Sequence, residues 1–222
     1  MIKGFFLAIV IFYLPSIQAK NLVDCLKQAE LTFLYPKFQM NLNEEEVSIL
    51  RELRRKVMKD PHSNDGLRPR RVGSQLKIKE RNFTIEEFLG GGFDGNVYKV
   101  VDDSSGNVFS IKEYNSGARV GTLSPDIVEE IKNLKELEKG GRHVTKVHGY
   151  SETENLLLID YVDGVVLEEI FLYGKINGLS DDFIKRINSG YDDAFKFQKP
   201  GTHFGNIVLE INTGKFIIID SK

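Results

Sequence analysis

Leu89-Gly90-Gly91-Gly92-Phe93-Asp94-Gly95-Asn96-Val97 fits the pattern G-x-G-x-x-G-x-V, and the rest of the chain is read outward from it. Glycines let a backbone approach phosphate oxygens with no Cβ in the way. In a dinucleotide-binding unit such a run leads into a helix. Here it leads into Val97-Tyr98-Lys99-Val100-Val101, a strand-forming run, and then into the turn cluster Asp102 to Asn107. The stretch is therefore expected to form a glycine-rich hairpin, with Gly90, Gly91, Gly92, Phe93, Gly95 and Val97 lying over phosphates. A merely flexible hairpin is the alternative that the motif alone leaves open.

The flanking segments supply a sheet for that hairpin. Phe83 to Leu89 and Val108 to Tyr114 are strand-like on either side. Ser124 is placed to cap a helix with Pro125 at its first position, where proline is tolerated best. Ile127, Ile131 and Leu134 give that helix one apolar face, and Gly140-Gly141 stops it. Val144 to Tyr150 and Asn155 to Tyr161 read as two further strands. The order predicts an α+β fold with a five-stranded antiparallel sheet and one helix packed on it.

Lys112 lies fifteen residues after Val97, in Phe109-Ser110-Ile111-Lys112. A lysine set among apolar strand residues needs an anionic partner, because an unpaired buried ammonium is costly. Phosphates of ATP are one such partner and Glu130, on the covering helix, is another. Glu129 stands beside Glu130, so the helix leaves either residue open for the role.

At this point the sequence resembles the protein-kinase family, over roughly residues 83–220. Leu156-Leu157-Leu158-Ile159 followed by Asp160-Tyr161-Val162 is similar to the strand and hinge that hold adenine. The resemblance implies Ile159 at the gatekeeper position and backbone contacts to the base from Asp160 to Val162. Leu167-Glu168-Glu169-Ile170 resembles the short helix after the hinge. His203-Phe204-Gly205-Asn206-Ile207-Val208 resembles the end of a catalytic loop, and Phe216-Ile217-Ile218-Ile219-Asp220 resembles the strand that delivers a metal-binding aspartate. Asn206 and Asp220 are thereby implied as ligands of Mg²⁺ carrying ATP phosphates, which suits hard oxygen donors. The family's catalytic aspartate would fall at Gly201, so His203, Asp192 or Asp193 is left to act as base. Ser221-Lys222 stands where the family has Phe-Gly. The implied activity is ATP- and Mg²⁺-dependent phosphoryl transfer to a protein Ser or Thr hydroxyl. A pseudokinase, a binding or scaffold module lacking the catalytic aspartate, is the alternative. The reduced C-lobe is similar to that of minimal effector kinases secreted by bacterial pathogens.

Residues 1–19 read as a secretory signal: Lys3, then the apolar run Phe5 to Leu14, then Ser16-Ile17-Gln18-Ala19 at a plausible cleavage point. The run is too short to span a bilayer comfortably, so no stable membrane span is expected after its removal. The protein is expected to be secreted and, since it needs ATP, to act inside a host cell or another ATP-containing compartment. Residues 20–60 read as a helical extension, with Leu22, Leu26, Ala29 and Phe33 in one helix. A second starts near Asn43 and buries Val47, Leu50, Leu53 and Val57, while Arg51, Arg54 and Arg55 lie on its solvated face. Residues 61–80 read as a linker and 81–222 as the kinase-like domain, with an N-lobe over 81–163 and the reduced C-lobe over 164–222.

Charge excludes one class of partner. Residues 81–222 hold 16 Lys and Arg against 23 Asp and Glu, so the domain is acidic and no nucleic acid is expected. Cys25 is the only cysteine, which rules out an intramolecular disulfide, and the fold must stand on its core.

Overall fold

The computed structural model of the chain describes residues 39–59, 68–92, 95–114, 125–151, 153–195 and 204–221. The signal sequence, Cys25, the helix expected around Leu22 to Phe33, the hairpin tip Phe93-Asp94, Ser124, Gly201 and His203 lie outside the described residues.

The fold is α+β. Its larger sheet is antiparallel and has six strands where the sequence predicts five. They are β1 (Gln75–Ile78), β2 (Arg81–Gly92), β3 (Gly95–Asp102), β4 (Val108–Tyr114), β5 (Val147–Ser151) and β6 (Leu156–Asp160), in the order β1-β2-β3-β4-β6-β5. The extra strand, β1, falls in the segment read as a linker. Leu76 and Ile78 alternate with Gln75 and Lys77, and both apolar side chains are buried. Four residues are too few to announce that alternation among so many polar neighbours. The turn into β2 also carries no Gly or Asn; Lys79 itself adopts φ 56°. The sheet curls until β1 meets β5, where a Cβ at Gly149 would lie 3.6 Å from Ile78. Inside the curl pack Phe83, Ile85, Tyr98, Val100, Ile111, Leu156 and Leu158. The opposite face carries α2 (Pro125–Lys139), which packs Ile127 and Ile131 against Tyr114, Leu157 and Ile159.

A second sheet of β7 (Gly164–Val166), β8 (Ile207–Glu210) and β9 (Phe216–Ile218) pairs in sequence order. Around it lie α1 (Glu44–Lys59), α3 (Leu167–Tyr173) and α4 (Asp181–Phe195). Asn43 begins α1 as expected, through a reciprocal cap. Its side-chain oxygen accepts from Glu46 N at 2.8 Å, and its own N–H donates to the Glu46 carboxylate at 3.0 Å. Leu50 and Leu53 of α1 are wholly buried with Val165, Ile170, Phe183, Ile187, Ile207 and Phe216. The helix read as an extension is thus a wall of the second core.

Among the described residues, no helix is long and apolar enough to cross a membrane.

Candidate functional site

Alternation along β4 puts Ile111 inside the curl and Lys112 on the face that α2 covers. Lys112 sits opposite Val97 in β3 and Leu157 in β6, so it lies in the middle of the sheet, on a strand paired along both edges. On α2, Ile127, Glu130, Ile131 and Leu134 recur at helical spacing, and that register turns Glu130 inward while Glu129 stays exposed. Lys112 Nζ donates to Glu130 Oε2 at 2.8 Å, which assigns the partner that the sequence left open between the two glutamates.

A second carboxylate arrives from the other sheet. Ile218 in β9 pairs with Ile207 of β8; on its other side its N–H donates to His143 O and its carbonyl accepts from Thr145 N, each at 3.0 Å. Held on both edges, β9 delivers Asp220 beneath β4, where Lys112 Nζ donates to Asp220 Oδ2 at 2.6 Å. Beyond it Ser221 is tied to α2, its hydroxyl donating to Glu130 O and its carbonyl accepting from the Asn133 amide, each at 3.4 Å.

Among the described residues the cluster sets two carboxylates on one ammonium. Lys112 and Glu130 are almost wholly buried while Asp220 keeps some exposure. Burial works against the Lys112 ammonium, but the Glu130 and Asp220 charges outweigh it and hold its pKa above the ordinary value. Burial pushes the Glu130 carboxyl up, and Asp220 adds to the push against the opposing pull of Lys112. The two directions thus have different causes: neighbouring carboxylates raise Lys112, and burial before all else raises Glu130. Glu130 Oε1 has no hydrogen-bond partner among the described residues.

Asn206 ends a short 3₁₀ turn, Phe204–Asn206, and is buried. Its carbonyl accepts from Ile219 N at 2.9 Å, which sets its backbone beside the residue before Asp220. One amide and one partly exposed carboxylate are hard oxygen donors. Donors of this kind suit magnesium, which commonly keeps water or phosphate oxygens as its other ligands. Among the described residues no cluster of three or more His, Cys, Asp or Glu gathers into an all-protein cage.

The glycine stretch forms the ends of β2 and β3, with Gly91 opposite Asn96 and Gly92 opposite Gly95. A Cβ at Gly95 would lie 1.9 Å from the Glu113 carbonyl, so close strand pairing alone demands glycine there. A methyl group added at Gly90 would meet nothing within 4 Å, and packing makes no such demand. Val97 shares the α2-side face of the sheet with Lys112. Asp160 N–H donates to Lys146 O at 3.1 Å, and its carboxylate accepts from Lys146 N at 3.0 Å and meets His148 Nε2 at 2.6 Å. The Asp160 amide is thus engaged within the protein. Val162 lies in the connection between β6 and β7. Asp193 lies in the last turn of α4.

Two features of the site have little or no voice in the motifs. Tyr114, two residues beyond Lys112 and therefore on the same face, donates its hydroxyl to Glu130 Oε2. Strand alternation is signal enough to find it. Arg54, expected on a solvated helix face, instead donates to Asp163 Oδ1 and the Tyr161 hydroxyl and lies 3.7 Å from Glu87 of β2. It joins α1 to the connection after β6 and to the larger sheet. Its place four residues after Leu50, beside the apolar stripe, is the only hint.

No protein-family model matches the chain, and no curated protein is similar to it.

Proposed function

We propose that this chain is a secreted, kinase-like protein that binds ATP with Mg²⁺ and transfers a phosphoryl group to a protein Ser or Thr hydroxyl. The observation that carries the reading is Lys112 held between Glu130 and Asp220, on the face that also presents Val97 at the root of the glycine hairpin. Lys112 is a fixed cation for phosphate oxygens, and Glu130 orients it. Asn206 and Asp220 would hold the magnesium ion, which when bound neutralises phosphate charge. The connection from Asp160 to Val162 would flank the base, with Val97 above it. His203 or Asp193 would accept the proton of the attacking hydroxyl.

The test is label transfer from ATP in the presence of Mg²⁺, alongside the thermal unfolding midpoint with and without the nucleotide. Stabilisation by ATP and transfer abolished in Lys112→Ala and Asp220→Ala are expected. Transfer that persists in the double variant overturns the site. A second reading rests on Gly201, which stands where the resemblance calls for a catalytic aspartate: a pseudokinase that binds nucleotide without turnover. Stabilisation by ATP with no label transfer selects it.

A further inference from the structure

We propose that Tyr114 is a positioning residue of this site, holding the buried Glu130 carboxylate against Lys112. The inference rests on the nucleotide-site reading for its consequence in catalysis, but the contact itself stands on geometry. Tyr114 ends β4 and is almost wholly buried, packed with Ile127, Leu157 and Ile159. Its backbone N–H donates to Asn155 O at 3.1 Å, which pins the strand end. The ring has little freedom, so the hydroxyl is a fixed donor.

That donor meets Glu130 on the same oxygen that Lys112 occupies, and the ring lies 4.8 Å from Lys112 Nζ, within reach of a cation–π contact. Glu130 Oε1 finds no partner among the described residues, so the hydrogen bonds from Lys112 and Tyr114 that hold this carboxylate both converge on Oε2. Lys112 must also serve Asp220, and in the proposed reaction it must serve phosphate too. A lysine that turns partly toward another anion loosens its grip on Glu130. Tyr114 is the donor that does not turn. Without it Glu130 takes up a proton more readily, and Lys112 loses its anchor. Among the described residues the titratable and charged groups facing Glu130 are Lys112 and Tyr114 from β4 and Asp220 from the segment after β9.

Tyr114→Phe keeps the ring and removes only the donor. The direct readout is titration of the Glu130 carboxyl by NMR with carboxyl-labelled glutamate, assigned with Glu130→Gln. In the variant the midpoint should move to higher pH. An unchanged midpoint overturns the inference whatever the activity. The second readout is the pH profile of label transfer. Its acid limb should shift upward and the rate should fall about tenfold or more, the worth of a hydrogen bond to a charged group. The effects of Tyr114→Phe and Glu130→Gln should not add, since both break one contact; additive losses count against it. A shifted midpoint in a protein whose wild type neither binds ATP nor transfers label supports the Tyr114 contact and sinks the kinase-like reading alone.

Discussion

Lys112→Met removes one ammonium and leaves a side chain of similar length, so the cavity term is small and the electrostatic term is read almost alone. Glu130, wholly buried, then keeps the Tyr114 hydroxyl as its side-chain donor, and Asp220 loses the ammonium it meets at 2.6 Å. At 4 Å an ion pair is worth about 4 kcal/mol at an effective dielectric near 20. Against that stands the cost of burying the ammonium, which methionine avoids. Measured losses on removing one partner of a buried pair run about 3–5 kcal/mol, and the lower end is expected here because Asp220 is partly exposed. The variant has an escape: Glu130 can protonate. Its folded pKa lies above the unfolded value, so its contribution to stability is full at pH below the unfolded value. That contribution fades as pH rises through the folded one. Removing Lys112 raises the folded value further and widens this window. Wild type and variant should therefore converge as pH falls below the variant's Glu130 pKa and diverge toward pH 8. Lys112 itself, raised above its ordinary value, lends the wild type stability that is lost only in the alkaline range. Urea unfolding from pH 4 to 9, with the slope m checked for constancy, measures the gap. A loss under about 1 kcal/mol at pH 8, or one that does not change with pH, refutes the idea of an uncompensated buried carboxylate. Adding Glu130→Gln to the variant should restore part of the loss.

Two further outcomes test the frame around the site. Arg54→Met should cost about 1–3 kcal/mol through its lost bonds to Asp163 and Tyr161 and should speed amide exchange around residues 161–163; unchanged exchange there would mean that the α1 contact does not brace the connection. Asp102 accepts from the Ser104 hydroxyl at 2.6 Å and from Arg81 Nε at 2.8 Å, and these donors, the hydroxyl foremost, hold its carboxyl well below the usual range. Its contribution is present above the unfolded pKa and lost as pH falls through the folded one. The gap in thermal midpoint between wild type and Asp102→Asn should thus be full at pH 7 and close on acidification below about pH 4; a gap constant down to pH 2 rejects it.

What the sequence revealed of this molecule follows the length of the signal at each place. Strands β2 to β6 carry β-branched and aromatic runs bounded by glycine or turn clusters, and each stands within a few residues of its expected position. β1 offers two apolar residues and a turn without glycine, so nothing local distinguishes it from the polar chain before it. The stripe of α1 announced that the helix packs, but a stripe does not say against what. Only the tertiary fold sets Leu50 and Leu53 into the second core and swings Arg54 across to the larger sheet. The Lys112–Glu130 contact was legible because a lysine in a buried strand is costly enough to demand an anion. Asp220 was placed through a resemblance, and its arrival on the same ammonium depends on how Ile218 is held between β8 and the segment 143–145, which the sequence separates widely.

The same cost argues for what the cluster is for. A buried ion pair seldom stabilises a fold better than well-packed apolar side chains of the same volume. Among the described residues this cluster sets two carboxylates on one ammonium, and one oxygen of the buried Glu130 carboxylate finds no partner. Leucine and methionine would fill the space between β4 and α2 with less strain on the fold. The buried positions beside it obey that rule, from Ile127 and Ile131 on the helix to Leu157 and Ile159 on the sheet. A local violation inside an otherwise consistent core is where a ligand's requirements override those of folding. The sign of the charge, and the greater exposure of Asp220, favour a cation as the further partner of that carboxylate. In the proposed reading a triphosphate with its magnesium ion would meet both demands, offering anionic oxygens to Lys112 and positive charge to Asp220.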